Sequence, residues 1–258
     1  MPIPSTTQED IEKHLLLIGI REGQTIAVHS KLVSFGRIIG GVESVYKALR
    51  KVVGLSGTLV FPSYTLNLGP DDVYDPITTP SYAMGALSEY VRSLPYVQRS
   101  DCPMHGHIAI GPHANKVIEA DPSRPLGLGS SFSEMYDSGF DLLLLGCNFQ
   151  EGATCVHHFE AEFGVPYRTW IDLPRLIKNS DGQLTEIICK YYGHKTNNVF
   201  NNNLLPVQKE MEALGMMYSQ PAPLGASFLM SLADLRKCVL DMISADPYVL
   251  VTPVRGHE

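Results

Sequence analysis

Three segments near the N-terminus constrain the fold more than any other feature. TIAVHS (25–30) and GTLVFPSY (57–64) are short β-prone runs. Between them VESVYKALRKVV (42–53) repeats Val42, Val45, Leu49, Val52 and Val53 as one face of a helix. Two strands joined through a helix are parallel, because a tight turn can join only antiparallel neighbours. The chain is therefore expected to build an α/β sheet with helices on its faces.

The remaining pattern agrees with this. A first helix is expected between Ser5 and Ile18, following a Ser/Thr cap. GHIAIG (106–111) reads as a strand, and FDLLLLGCN (140–148) as a fully buried central one. NKVIEA and SSFSEMYDSG read as short helices, and TEIICKYYG (185–193) as β-like. Residues 197–215 end in a helix stopped at Gly215, and SLADLRKCVLDMISADP (231–247) is a serine-capped amphipathic helix. The Pro- and Gly-rich stretch 67–85 is a long loop of the kind that carries function. No repeat or flexible linker intervenes. The expectation is one three-layer α/β unit over residues 1–258, with a mixed, largely parallel central sheet.

Composition narrows the partners. Of 258 residues 44% are hydrophobic and 18% charged, the profile of a globular protein with a sizeable core. A formal charge of −7 without a basic tract argues against nucleic acid. Cys102, Cys147, Cys155, Cys189 and Cys238 are odd in number and form no CxxC, so neither a disulfide framework nor structural zinc is expected. The N-terminus does not read as a signal peptide and no apolar run approaches a membrane span; a cytoplasmic location is expected.

In open α/β sheets ligands bind at the carboxyl ends of parallel strands. Three polar segments fall there: HSKLVSFGRIIGG, SYTLN and CNFQEGATCVHHFE. The first places Ser30, Ser34, Gly36, Gly40 and Gly41 ahead of a helix, a setting that suits an anion. It is neither GxGxxG nor a P-loop, and a plain tight turn explains it equally well. The third holds GATCVHHFEAEFG (152–164). On a helix His157 and Glu160 share one face, and His158 and Glu162 share another about 100° around. A histidine held by a carboxylate is a better base, although both pairs also read as ordinary helix contacts. Adjacent histidines do not make the zinc pair of HExxH, and Cys155 diverges from His157. His105 and His107 bracket Gly106 and would face one side of a strand.

Taken in order, these segments resemble the aminoglycoside 3-N-acetyltransferase family, the antibiotic N-acetyltransferases that use acetyl-CoA. VHSKLVSFGRIIGGVESVYKALRKVVGLSGTLVFPSYT is similar to the family's opening VHSSLSSFG…GGxxxVxxAL…GTLxMPT. YDPITTPSYAMGALSEYVR is similar to FDPxxTPSxMGxLxExFR. PLGLGSSFSEMYDSGFDLLLLGCNFQEGATCVHHFEAEFGVPYR follows LGxxSPxxxLY…LLLGVxxxxxTxxHxAE, and LADLRKCVLDMI resembles its DLRxLV helix. The resemblance spans nearly the whole chain and implies a fold distinct from the GNAT acetyltransferases.

By this resemblance His157 is the general base and Glu160 its carboxylate; an oxyanion formed there would need backbone N–H groups or a hydroxyl such as that of Thr154. It sets His29, Ser30, Lys31, Leu32, Ser34, Phe35 and Gly36 against acyl-CoA or acetyl-CoA, with Arg99 and Ser100 along the same site. Tyr64, Asp75, His105, His107, Glu162 and Arg168 fall to the acceptor side. No metal and no membrane partner is implied, and a homodimer is compatible with it. RSDCPMHG departs from the family's RSxHPxxS at Cys102 and Gly106, and Lys31 replaces the second serine of HSS. These departures incline the reading toward acyl transfer to a nucleotide-linked amino sugar of a biosynthetic pathway, with an aminoglycoside as the alternative acceptor and antibiotic resistance as its outcome. Arg168, Arg175 or Lys178 facing the acceptor would favour the first; Asp71, Asp72 and Asp75 would favour the second. Two further readings are a metal hydrolase using His157, His158 and Glu162, and a non-catalytic CoA or sugar binder.

Overall fold

The structure, a computed structural model, describes residues 2–179, 181–195 and 200–254. The chain opens with β1 (Ser5–Thr6) and α1 (Gln8–Leu17), the helix starting at a Thr7–Asp10 capping box. Then come β2 (Thr25–Ser30), a 3₁₀ turn at Leu32–Phe35, β3 (Arg37–Ile38), α2 (Gly41–Val53) and β4 (Thr58–Pro62). The loop beyond holds β5 (Val73–Tyr74) and leads to α3 (Gly85–Arg92), β6 (Gln98–Arg99) and β7 (His107–Ile110). Short helices α4 (Ala114–Ile118) and α5 (Ser131–Asp137) precede β8 (Asp141–Leu145), α6 (Phe149–Gly152) and α7 (Val156–Phe163). The last third contains β9 (Arg168–Lys178), β10 (Leu184–His194), β11 (Phe200–Asn202), α8 (Leu205–Ala213), β12 (Tyr218–Ala222), β13 (Gly225–Ser231), α9 (Leu232–Ala245) and β14 (Val251–Pro253).

Seven strands form the main sheet in the order β12-β13-β8-β2-β4-β7-β6. The pairs β8–β2 and β2–β4 are parallel, as the opening unit requires, and the flanking pairs are antiparallel. The sheet is mixed, with its parallel part confined to the three central strands. Because β7 runs against β4, Pro62 pairs with His107, and the start of β7 lies at the carboxyl edge of its neighbours.

Alternation along the strands sends side chains into two cores. Ile26, Val28, Leu59, Phe61, Leu143 and Leu145 pack on one side with Leu15 of α1, Leu49 of α2 and Leu87 of α3. Ala27, Val60, Ala109, Leu142 and Leu144 face the other, against Phe132, Phe159, Val207 and Leu235. The unbroken leucines of β8 thus feed both cores, which is why they read as a central strand. Among the described residues no helix is long and apolar enough to cross a membrane.

Two antiparallel hairpins carry no clear period in the sequence. β12 and β13 pair through Tyr218↔Leu229 and extend the sheet beyond β8. β9 and β10 pair over their full length, from Arg168↔His194 to Lys178↔Leu184, with β5 joining β9 at Val73↔Leu176. RTWIDLPRLIK alternates weakly and contains Pro174, so its strand is set by its partner rather than by its own pattern.

The turn after β8 is held from three sides. Gly146 N–H donates to Ser227 Oγ at 3.0 Å, and Ser227 Oγ bonds His14 Nε2 at 2.8 Å. The Ser34 hydroxyl donates to the Gly146 carbonyl. Gly146 has φ +75°, and a Cβ there would stand 2.8 Å from the Lys31 carbonyl and 2.9 Å from Ser34 Cβ. Gly146→Ala should therefore destabilise the fold by about 1–3 kcal/mol, read as a lowered Tm in thermal unfolding.

Candidate active site

Helix α7 follows a short turn, α6, that Asn148 and Glu151 close with a capping box. Its first turn projects His157 toward the carboxyl edge of the sheet. Three residues on, Glu160 sits on the same face with its side chain wholly buried. His157 Nδ1 lies 2.6 Å from Glu160 Oε2. A carboxylate this deep needs partners, and it has them. Arg168 Nε is 2.9 Å from Oε2, and the Tyr167 hydroxyl donates to Oε1. The Arg168 Nε–H is not aligned for a hydrogen bond, so that contact is an ion pair. Burial pushes the Glu160 pKa up, but the charges and hydrogen bonds of His157, Arg168 and Tyr167 outweigh it and the net shift is down.

An ionised Glu160 fixes the tautomer of His157. Nδ1 must carry the proton that Oε2 accepts, so Nε2 presents a lone pair. Arg168 Nη2, 3.2 Å from Nδ1, then acts through its charge, while it donates to Asn202 Oδ1 at 2.8 Å. Asn202 also bonds His194 Nε2 at 3.0 Å and approaches His157 Nε2 only at 3.5 Å. His157 keeps 16% of its side chain exposed. A half-buried imidazole with one nitrogen locked on a carboxylate and the other met only by the long Asn202 contact is arranged to take a proton.

His158, on the neighbouring face, is differently employed. Its Nδ1 accepts the Gly127 N–H at 3.1 Å, and burial lowers its pKa to about 4. Glu162 is bonded to Arg236, whose Nε donates at 2.9 Å. Thr154 is half-buried, and its carbonyl accepts the His157 N–H at 3.0 Å. Cys155 is buried, and desolvation pushes its thiol up to about 12, which leaves little nucleophilic thiolate. Among the described residues no group of three or more His, Cys, Asp or Glu side chains could hold a metal.

The loop after β2 lies beside the same edge. A cavity of about 380 Å³ is lined by Lys31, Ser34, Gly146, Cys147, Asn148 and Glu151, together with residues of the β12–β13 turn. Lys31 pairs with Glu151 across it. Ser30 ends β2 opposite Leu145, Leu32 is half-buried, and Gly36 abuts the Pro4 carbonyl. Phe35 is buried, edge-on to His14 at 5.1 Å. His29 is also buried, and desolvation lowers its pKa to about 4. Arg99 and Ser100 are turned elsewhere. The Arg99 guanidinium donates to the carbonyls of Pro76, Thr79 and Ser63, and Ser100 Oγ accepts the His107 N–H at 3.0 Å. Arg99, and Ser100 through its carbonyl, which accepts the Tyr74 hydroxyl at 2.7 Å, hold the 67–85 loop against the sheet edge.

The acceptor-side candidates divide. Tyr64, His105 and His107 meet in one buried aromatic cluster with Phe132, with Tyr64 4.9 Å from His105 and 5.5 Å from His107 between ring centroids. The Tyr64 hydroxyl lies beside Thr154 without a well-aligned hydrogen bond to it. The charged candidates are already engaged: Asp75 with Lys178 at 3.0 Å, Glu162 with Arg236, and Arg168 with Glu160. Arg168 therefore braces the Glu160–His157 pair and does not stand free for an acceptor. Tyr167 and Asn202, which complete its surroundings, carry no signal of their own in the sequence.

Residues 27–244 match the model of the aminoglycoside 3-N-acetyltransferase family. The chain belongs to this family. It is 34% identical over 189 residues to the SPbeta prophage-derived aminoglycoside N(3')-acetyltransferase-like protein YokD of Bacillus subtilis (strain 168), covering 64% of this chain and 68% of that one. It is 30% identical over 196 residues to an aminoglycoside N(3)-acetyltransferase III of Salmonella sp, covering 69% and 68%. The crystal structure of YokD superposes with a TM-score of 0.83 at 26% identity, over 96% of this chain and 97% of that one. AAC-IIIb, solved as a binary complex with CoASH, shares the fold at a TM-score of 0.79 and 20% identity, over 93% and 97%.

The buried histidines predict an acid-sensitive member of the family. His29 and His158 bind a proton only near pH 4 when folded, against an ordinary value of 6.5. Between these values the unfolded chain binds more protons, so stability falls as pH drops from about 6.5 to about 4. Tm measured across that range should decline steadily, and less steeply in a His158→Asn variant.

Proposed function

We propose that this chain transfers an acetyl group from acetyl-CoA to a primary amine of an aminoglycoside, with His157 as general base. The observation that carries the reading is the His157 ring, held by the buried Glu160 through Nδ1, with Nε2 meeting only Asn202 at 3.5 Å. Family membership supports the reaction class, a CoA-dependent N-acyltransferase, and a family relative has been solved with CoASH. The cavity beside Lys31 and Ser34 supports an extended thioester arm entering along the β2 loop.

The same sources favour an aminoglycoside over a nucleotide-linked amino sugar. The second acceptor needs cations for its pyrophosphate. Arg168 is spent on Glu160, Lys178 on Asp75, and Arg175 is buried with Nη1 on the Pro174 carbonyl at 2.8 Å. The relatives, in turn, are named for aminoglycosides.

The chemistry follows from the geometry. An ammonium is no nucleophile, so the acceptor reacts as the free amine, its first proton lost to solvent; His157 Nε2 takes the second as the N–C bond forms, and Glu160 stabilises the resulting imidazolium. The amine nitrogen bonds to the thioester carbonyl carbon. The oxyanion is met by nearby donors, for which the Thr154 hydroxyl, beside that of Tyr64, is the proposed source. Collapse breaks the C–S bond, and the thiolate leaves with the proton His157 holds. No acyl-enzyme is required, consistent with the inert Cys155.

His157→Ala should lower kcat on the order of 10²–10⁴-fold, followed by release of free thiol from acetyl-CoA with an aminoglycoside acceptor. Cys155→Ala should keep its turnover. A His157→Ala enzyme with normal kcat would sink the mechanism.

A further inference from the structure

On the flank of α7 away from Glu160 lies a cavity of about 600 Å³. His158, Ala161 and Glu162 of the helix line it, and Trp170, Tyr136 and Asp137 face them from other elements. One unpaired donor opens onto it. His158 is only 6% exposed, and its Nδ1 accepts from Gly127, so the proton resides on Nε2. Among the described residues Nε2 has no partner. An unpaired donor at a cavity wall is available to a ligand atom.

The opposite wall is an aromatic platform. Trp170 keeps 43% of its surface open, although one side is packed on Tyr192 at 4.9 Å. It reaches this position across Gly127, where a Cβ would stand 3.0 Å from the indole. The charges around the cavity cancel. Arg236 is bonded to Glu162 and stacks over the Tyr136 ring at 5.3 Å, leaving Arg124 and Asp137 of opposite sign. Neither a phosphate nor a lone ammonium is favoured by such a lining. A hydroxylated ring is, because it offers C–H groups to the indole and hydroxyls to mixed donors and acceptors.

The cavity also adjoins the base. Ala161, which lines it, lies between the His157 and His158 faces of α7. Trp170 and Arg168 are two apart on β9, so about 7 Å separates them on one face. Arg168 in turn stands 3.2 Å from His157 Nδ1.

We propose that this cavity holds a ring of the acceptor remote from the reacting amine, a saccharide or aminocyclitol ring seated on Trp170 and hydrogen-bonded by His158 Nε2. The inference rests on the aminoglycoside reading above and names its second point of contact. Trp170 is the only tryptophan of the chain, so its emission reports occupancy directly. The full-length protein is titrated with kanamycin A and with its single central ring, 2-deoxystreptamine, following fluorescence and, separately, heat of binding and thiol release. Kanamycin should change the emission saturably and 2-deoxystreptamine should not. His158→Asn keeps an acceptor for Gly127 and loses the Nε2 donor. It should lower the ratio of kcat/KM for kanamycin to that for 2-deoxystreptamine about tenfold. Kanamycin binding and turnover with unchanged emission, or an unchanged ratio in the variant, overturns the subsite and leaves the acetyltransferase reading standing. Absence of binding and turnover with both acceptors overturns the aminoglycoside reading itself, and the subsite with it.

Discussion

A single carboxylate with no exposed surface governs the site. Isolated in the interior, Glu160 would be protonated or would disrupt the fold. It stays ionised because a guanidinium, an imidazole and a phenol converge on it. Those groups come from two places in the chain: His157 from its own helix, Tyr167 and Arg168 from the segment entering β9. Removing one partner of such a buried pair is costly, on the order of 3–5 kcal/mol. The demand of Glu160 for charge thus fixes where the β9–β10 hairpin begins, and the ring it holds is oriented as a by-product.

The rest of the edge is arranged by sheet direction. Parallel strands deliver their following loops to one side, which is why the segments after β2, β4 and β8 meet. The antiparallel strands contribute by the opposite logic. β7 and β13 begin at that edge, so His107 and Ser227 arrive with the first residues of their strands. Ser227 then braces Gly146, and His107 packs beneath Tyr64.

This explains what could be read without coordinates. The β2–α2–β4 unit, the leucines of β8 and the serine-capped α9 announce themselves because each has a strong period or cap. The pairing of His157 with Glu160 was legible from a spacing of three. Its meaning was not, since an i,i+3 pair on a solvent face looks identical in one dimension. Burial decides between them, and burial is set by Tyr167, Arg168 and Asn202, whose contact with the helix is made by the hairpin and by β11. Arg168 was noticed in the sequence, but as a cation facing an acceptor; only the position of Glu160 gives it a different role. The hairpins β9–β10 and β12–β13 were weakly legible because paired strands borrow their regularity from each other.

The two ends of the β9–β10 hairpin serve different masters. Tyr167 and Arg168 at its root are tied to Glu160, while Lys178, ten residues further along β9, is tied to Asp75 in the 67–85 loop. Between them run alternating side chains, most of them exposed or half-buried, with Arg175 among the buried. An architecture of this kind separates two tasks: the root is fixed by what Glu160 needs, and the ribbon beyond it can differ without disturbing that charge.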